Sequence, residues 1–194
     1  MKKLIFISTL LFLCAFGTQA QEQSQQDQAK FHLILDYRYM LGLSDCGDVG
    51  DFSRKDMDLY GHSLRLSGVY SFFPQLAMGI GIGADRYPPH NTLPVFATVH
   101  YNPWESNPFY LFGNVGCGIK TETALSGLLV DAGLGYKMMF KKHFGLNFHF
   151  GYNLKQFNMD IHNYIFEDGY IYYEDTTSGT QTRHSLSFGV GLIF

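Results

Sequence analysis

The chain is short of charge: Asp, Glu, Lys and Arg together make up 16% of its 194 residues, against about a quarter in ordinary soluble domains. A formal net charge of −3 gives no basic field for a nucleic-acid partner. Cysteine is scarce too. Of three cysteines, Cys14, Cys46 and Cys117, none lies in a CxxC pair or at Cys/His spacing, so structural zinc and thioredoxin-like redox chemistry are excluded. Cys46 and Cys117 read as free thiols. Beyond residue 20 no apolar run is long enough for a membrane-spanning helix. No nucleotide loop, metal motif or nucleophile motif occurs, and no cofactor is expected.

What is abundant is aromatic and small: 18 Phe, 13 Tyr and 21 Gly. The amino terminus opens Met1-Lys2-Lys3 and continues apolar from Leu4 to Phe16. A basic start, a short apolar core and small residues after it are the pattern of a secretory signal peptide. Cleavage is expected between Ala20 and Gln21, which makes residues 1–20 a signal peptide. Residues 21–30 (QEQSQQDQAK) form a polar lead-in expected to be disordered, and residues 31–194 the remaining domain.

That domain alternates. Eight segments carry large apolar residues at every second position: 31–43, 62–72, 76–87, 93–102, 109–120, 127–140, 144–157 and 183–194. Period two is the signature of a strand. In the last segment Leu186, Phe188, Val190, Leu192 and Phe194 alternate with Ser187, Gly189, Gly191 and Ile193. The second face of most strands is Gly, Ser and Asn with occasional charge. In a soluble barrel that face would meet water, where it is a poor solubiliser, and the Phe and Tyr of nearly every strand would overfill an eight-stranded interior. Turning the strands inside out removes both problems. The fold expected is therefore all-β: an eight-stranded antiparallel up-and-down transmembrane β-barrel.

Connections 73–75, 103–108 and 141–143 are short, whereas 44–61 and 158–182 read as long polar loops. This suits short turns at the end bearing the termini and longer loops at the other. Two aromatic girdles are expected from Tyr37, Tyr39, Tyr60, Phe72, Phe73, Tyr87, Tyr101, Trp104, Phe109, Phe140, Phe144, Tyr152 and Phe157.

Residues 31–194 resemble the small outer-membrane β-barrel proteins of Gram-negative bacteria, the OmpX/OmpW-like and PorT-like group. The eight alternating strands and the terminal strand ending in Phe carry the resemblance, as do Leu93-Pro94-Val95-Phe96 and Pro108-Phe109-Tyr110-Leu111-Phe112-Gly113-Asn114-Val115-Gly116. It implies an integral protein of the cell outer membrane, surrounded by outer-membrane lipid and lipopolysaccharide. It also implies that Phe188, Val190, Leu192 and Phe194 form the signal read by the barrel-assembly machinery. It does not specify an activity.

Alternation aims Asp36, Arg38, Arg65, Asp85, His100, Lys120, Asp131, Lys137, His149, Lys155 and Arg183 at the lumen. Eight of them, Asp36, Arg38, Arg65, Asp85, Asp131, Lys137, His149 and Lys155, are expected to form a charge network that fills it, since charges in a dry interior must pair. His184 and Ser185 fall on opposite faces and cannot act as base and nucleophile. The function expected is a structural or surface-interaction role without catalysis. A narrow transport or hydrophobic-ligand conduit and a lipid-modifying enzyme are the alternatives. The surface ligand is not legible.

Overall fold

A computed structural model describes residues 30–56, 59–88, 90–104, 107–141, 144–167 and 170–194, with the side chains of 162–167 and 170–175 outside the description. The expected signal peptide, its Ala20–Gln21 junction and the lead-in up to residue 29 lie outside the described residues.

The chain forms β1 (Phe31–Gly47), β2 (Phe52–Ser53), β3 (Tyr60–Phe73), β4 (Leu76–Tyr87), β5 (His90–Tyr101), β6 (Phe109–Ile119), β7 (Gly127–Lys141), β8 (Phe144–Glu167) and β9 (Tyr170–Ile193). β2 is a two-residue strand on β1. The other eight pair with their sequence neighbours, and β1 pairs antiparallel with β9, which closes the sheet into an eight-stranded barrel. Closure leaves no unpaired edge within the wall, the condition for placing strands in lipid.

Strand length fits a bilayer. The 11 residues of β6 and 12 of β4 span about 36–40 Å along the strand, or about 28–31 Å along the axis at a tilt near 40°. A hydrocarbon core is about 30 Å thick.

The two faces divide by parity. Leu35, Leu64, Leu66, Ile80, Ile82, Val95, Leu111, Val115, Leu134 and Phe150 point outward and are exposed, with Ile80 at 74%. On the same strands Asp36, Ser63, Arg65, Ser67, Asp85, Thr98, Asn114, Asp131 and His149 are buried. An apolar wall around a polar interior is the reverse of a water-soluble barrel, and its solvent is lipid. At the end where β1 begins and β9 finishes, the rim is ringed by Phe31, Phe72, Phe73, Tyr101, Trp104, Phe109, Phe140, Phe144 and Phe194, all exposed.

Glycines make room for the inward aromatics. The Phe96 ring lies over Gly81, its cross-strand partner, and the Tyr110 ring over Gly135, its own partner. A Cβ at either glycine would run into that ring. Pro94 sits within β5, and the β4–β5 ladder skips from Ile82↔Val95 to Asp85↔Thr92. Proline has no N–H to donate, so the gap falls where Pro94 faces Gly83 and Ala84.

Three features depart from the expectation. The 44–61 connection is partly strand: β1 runs on to Gly47, Phe52–Ser53 form β2, and β3 begins at Tyr60. Residues 158–182 are not a loop: β8 and β9 run on as a hairpin, each 24 residues long, with paired register out to Glu167↔Tyr170. This segment has no one-sided apolar pattern because the barrel core lies below it, and the backbone ladder persists without that signal. Tyr87 and Phe157 are not girdle residues. Both are fully buried inside, packed with Met40. They share parity with Asp85 and Lys155 on their own strands, which turns them inward.

Candidate functional site

Among the described residues, most of the buried charged side chains converge in the lumen. It is stratified. Nearest the termini, Ile34, Val69, Ala77 and Ile193 form a buried apolar cluster, with Met139 against it. Near the opposite end Met40, Tyr87 and Phe157 form another, joined by Leu125 and Met159. Between them lies the charge.

Asp131 on β7 is the hub. Its Oδ2 accepts from Arg38 Nη1, from Arg65 Nη1 at 2.9 Å and from Asn114 Nδ2 at 3.0 Å. β3 and β7 stand four places apart in the ring of eight, so the Arg65–Asp131 pair crosses the full diameter. A second brace does the same between β4 and β8: Lys155 Nζ lies 3.5 Å from Asp85 Oδ2. Asp85 also accepts from the Ser63 hydroxyl, and from Thr92 Oγ1 at 3.4 Å. Arg65 Nε donates to Ser63 Oγ at 2.9 Å and stands 3.7 Å from Asp85 Oδ1. The two braces are therefore joined. A third diametric contact, Tyr87 Oη donating to Asn153 Oδ1 at 3.0 Å, again links β4 and β8.

Toward the termini the network becomes aromatic and imidazole-rich. Arg38 Nη2 is 3.8 Å from Asp36 Oδ2, and His149 Nδ1 is 3.7 Å from Asp36 Oδ1. Tyr110 donates to Asn147 Oδ1 at 2.7 Å, and Asn147 Nδ2 meets His149 Nε2 at 2.8 Å. Inward aromatics cover the cations: Arg38 over Phe112 at 5.3 Å, Arg65 over Phe96 at 5.4 Å and Lys137 over Tyr110 at 4.5 Å. Such stacking is favourable where water is excluded. At the opposite end Arg183 donates to Asp45 Oδ2 through Nη2 at 2.7 Å and Nε at 3.1 Å, with its guanidinium against Tyr87 and Phe157.

All eight residues expected in the charge network thus lie inside the barrel, and so do His100 and Arg183. Lys120 does not. Its side chain is exposed and pairs with Asp160 at 3.5 Å. β6 ends at Ile119, and past a strand end alternation no longer sets a direction. Sequence reasoning missed Ser63, Asn114, Asn147 and Asn153, which link the charges, and Asp45, which anchors Arg183. Ser63, Asn147 and Asn153 share inward parity with Arg65, His149 and Lys155, whereas Asp45 is turned inward only by the register shift between Gly42 and Ser44, which reverses the parity set by Asp36 and Arg38.

His184 and Ser185 part company as their alternation requires. Ser185 is fully buried, while His184 is on the outer wall, hydrogen-bonded to the Tyr152 hydroxyl. Cys46 and Cys117 are free. Asp56, outside the wall, accepts from Ser53 N at 2.8 Å and Ser53 Oγ at 2.6 Å, and these bonds hold its carboxyl below the usual range.

No family model matches the chain, and no curated protein matches it by sequence. Solved structures do. Neisserial surface protein A is similar at 15% identity and a TM-score of 0.45, over 84% of this chain and 96% of that one. The outer membrane protein OprG from Pseudomonas aeruginosa aligns at 14% identity and 0.45, over 88% and 98%. A de novo designed transmembrane β-barrel aligns at 12% and 0.40, over 87% and 99%. With β1 closed on β9 and its apolar face turned outward, this chain is an eight-stranded antiparallel transmembrane β-barrel.

Proposed function

We propose that the protein is an outer-membrane barrel with a side-chain-filled lumen, serving as a rigid support for a surface hairpin and carrying out no catalysis. The observation that carries this is the pair of ionic braces across the diameter, Arg65–Asp131 and Lys155–Asp85. An eight-stranded interior is just wide enough for side chains. Braces at its centre, with apolar clusters above and below, leave a transported solute no passage. Such charges are also committed to one another and not to a substrate. The separation of His184 from Ser185 removes the imidazole–hydroxyl pair a lipid hydrolase would need.

The hairpin supports the second half of the proposal. β9 pairs with β1 as far as Gln181, and β8 pairs with β7 as far as Lys155, with one further bridge, Ser126↔Asn158. Beyond these, among the described residues, the two strands pair in register only with each other. A ribbon that runs on past the wall of the barrel is suited to docking an extended segment of a partner. In this arrangement Phe188, Val190, Leu192 and Phe194, on the outer face of the closing strand, are the residues offered to the barrel-assembly machinery. Lipid and lipopolysaccharide surround the wall.

Planar-bilayer recording of the refolded protein tests the closed lumen. The expected trace is flat at potentials where the bilayer is intact. Stepwise openings of uniform amplitude would overturn the proposal in favour of a conduit.

A further inference from the structure

Beside the β4–β5 turn a row of polar side chains interrupts the apolar outer wall. There the register sets Asn91, Arg86, His62 and Tyr39 side by side on β5, β4, β3 and β1. All face outward, and Arg86 and Asn91 are exposed. Tyr37 Oη lies 2.7 Å from His62 Nδ1, and the Tyr39 and Tyr60 rings enclose the imidazole, with centroids at 5.5 and 5.9 Å. The second ring nitrogen, Nε2, has no hydrogen-bond partner among the described residues. Arg86 likewise has no carboxylate partner among them, whereas Lys120, at the same end, is paired with Asp160.

Immediately below this row, toward the bilayer centre, the next outward pair is Leu64↔Ala84. The small Ala84 and Gly83, beside the ladder gap at Pro94, leave an apolar groove of about 250 Å³ between Leu35, Leu64, Leu66 and Ile82. Arg86 and His62, with Asn91, whose Nδ2 also donates to Thr123 O at 3.5 Å, therefore stand over a groove open to lipid. At the other rim the described outward positions include Phe72, Phe109, Phe144 and Phe194.

We infer that this wall binds one phosphorylated lipid, its phosphate held by Arg86, His62 and Asn91 and the upper part of an acyl chain seated in the groove beside Ala84. Arg matches phosphate with paired donors, and a headgroup and chain joined covalently explain why the polar row and the groove are contiguous. The site depends on the transmembrane placement of the barrel and is independent of any role for the hairpin.

The test is native mass spectrometry of the full barrel in detergent, titrated with dioleoyl phosphatidic acid or dioleoyl phosphatidylcholine. The first phosphatidic acid should bind about tenfold more tightly than phosphatidylcholine, the effect of about 1.4 kcal/mol. Arg86→Ala with His62→Ala should abolish the preference, weakening phosphatidic acid far more than phosphatidylcholine, whose phosphate is already neutralised by its choline. Ala84→Leu, which fills the groove, should weaken both lipids. Heat-modifiable gel migration verifies folding of each variant, and Arg86→Gln replaces Arg86→Ala should the latter not fold. Equal affinity for the two lipids overturns the inference. So does a preference that survives the Arg86/His62 pair of substitutions, or displacement of phosphatidic acid by millimolar inorganic phosphate.

Discussion

Replacing Asp131 by Asn isolates the central brace. The change keeps side-chain volume and removes the one carboxylate that Arg38, Arg65 and Asn114 all reach. Removing one partner of a buried ion pair costs about 3–5 kcal/mol, because the stranded charge remains buried. Here two guanidiniums are stranded. Each keeps a weaker partner: Asp36 lies 3.8 Å from Arg38 and Asp85 lies 3.7 Å from Arg65. The residual pairing places the loss at the lower end, about 3 kcal/mol, or roughly a hundredfold in the unfolding equilibrium. The assay is urea unfolding in phosphatidylcholine vesicles, followed by the single tryptophan, Trp104, which is exposed at the rim near the termini. The combined replacement Asp131→Leu, Arg38→Met and Arg65→Met discards the charges together and should recover most of the loss. A single Asp131→Asn variant within about 0.5 kcal/mol of the parent would refute the reasoning, since surface substitutions alone give that much.

Other consequences follow from the same geometry. Replacing residues 160–178 by Asn-Gly joins Met159 to its partner Gly179 through a two-residue turn of the type that suits hairpins. The shortened chain should keep its heat-modifiable migration, and loss of the folded form would mean the hairpin is part of the barrel's stability. Tyr87→Ala with Phe157→Ala removes two fully buried rings, at about 3 kcal/mol or more each. Bilayer recordings of that variant should still be flat, because the ionic braces lie below. In Ser53→Ala the Asp56 carboxyl loses its Ser53 hydroxyl partner, and NMR titration should show its pKa rising toward the ordinary value near 3.9. The native bonds depress this pKa, so what they contribute is present above the unfolded pKa and is lost as pH falls through the folded one. In the variant the contribution is smaller and its loss is complete at a higher pH.

Much of this architecture was legible in the chain, because a barrel wall obeys one rule. Period-two alternation aimed Asp36, Arg38, Arg65, Asp85 and Asp131 inward without any knowledge of the fold. The same rule also governed Tyr87 and Phe157, but amphipathic rings near strand ends suit a girdle chemically, and parity had to outweigh that preference. The hairpin was not legible, since beyond Asn158 no apolar core marks one face and a polar ribbon reads as a loop. The braces were not legible either. Which inward residue meets which across the lumen depends on the stagger of the closed sheet, and stagger depends on the β1–β9 register. Asp131 and Arg65 are neighbours only once that register is set.

Depth-resolved fluorescence quenching tests the inside-out barrel most directly. Single cysteines at Leu111, Val115, Ile80 and Ile82, in a chain with Cys14→Ser, Cys46→Ser and Cys117→Ser, would carry a bimane label in lipid vesicles. These positions are outward and exposed. Lipids brominated on their acyl chains should quench all four, and aqueous iodide should quench none. Iodide quenching at these positions without quenching by brominated lipid would place the apolar wall in water and contradict the transmembrane barrel.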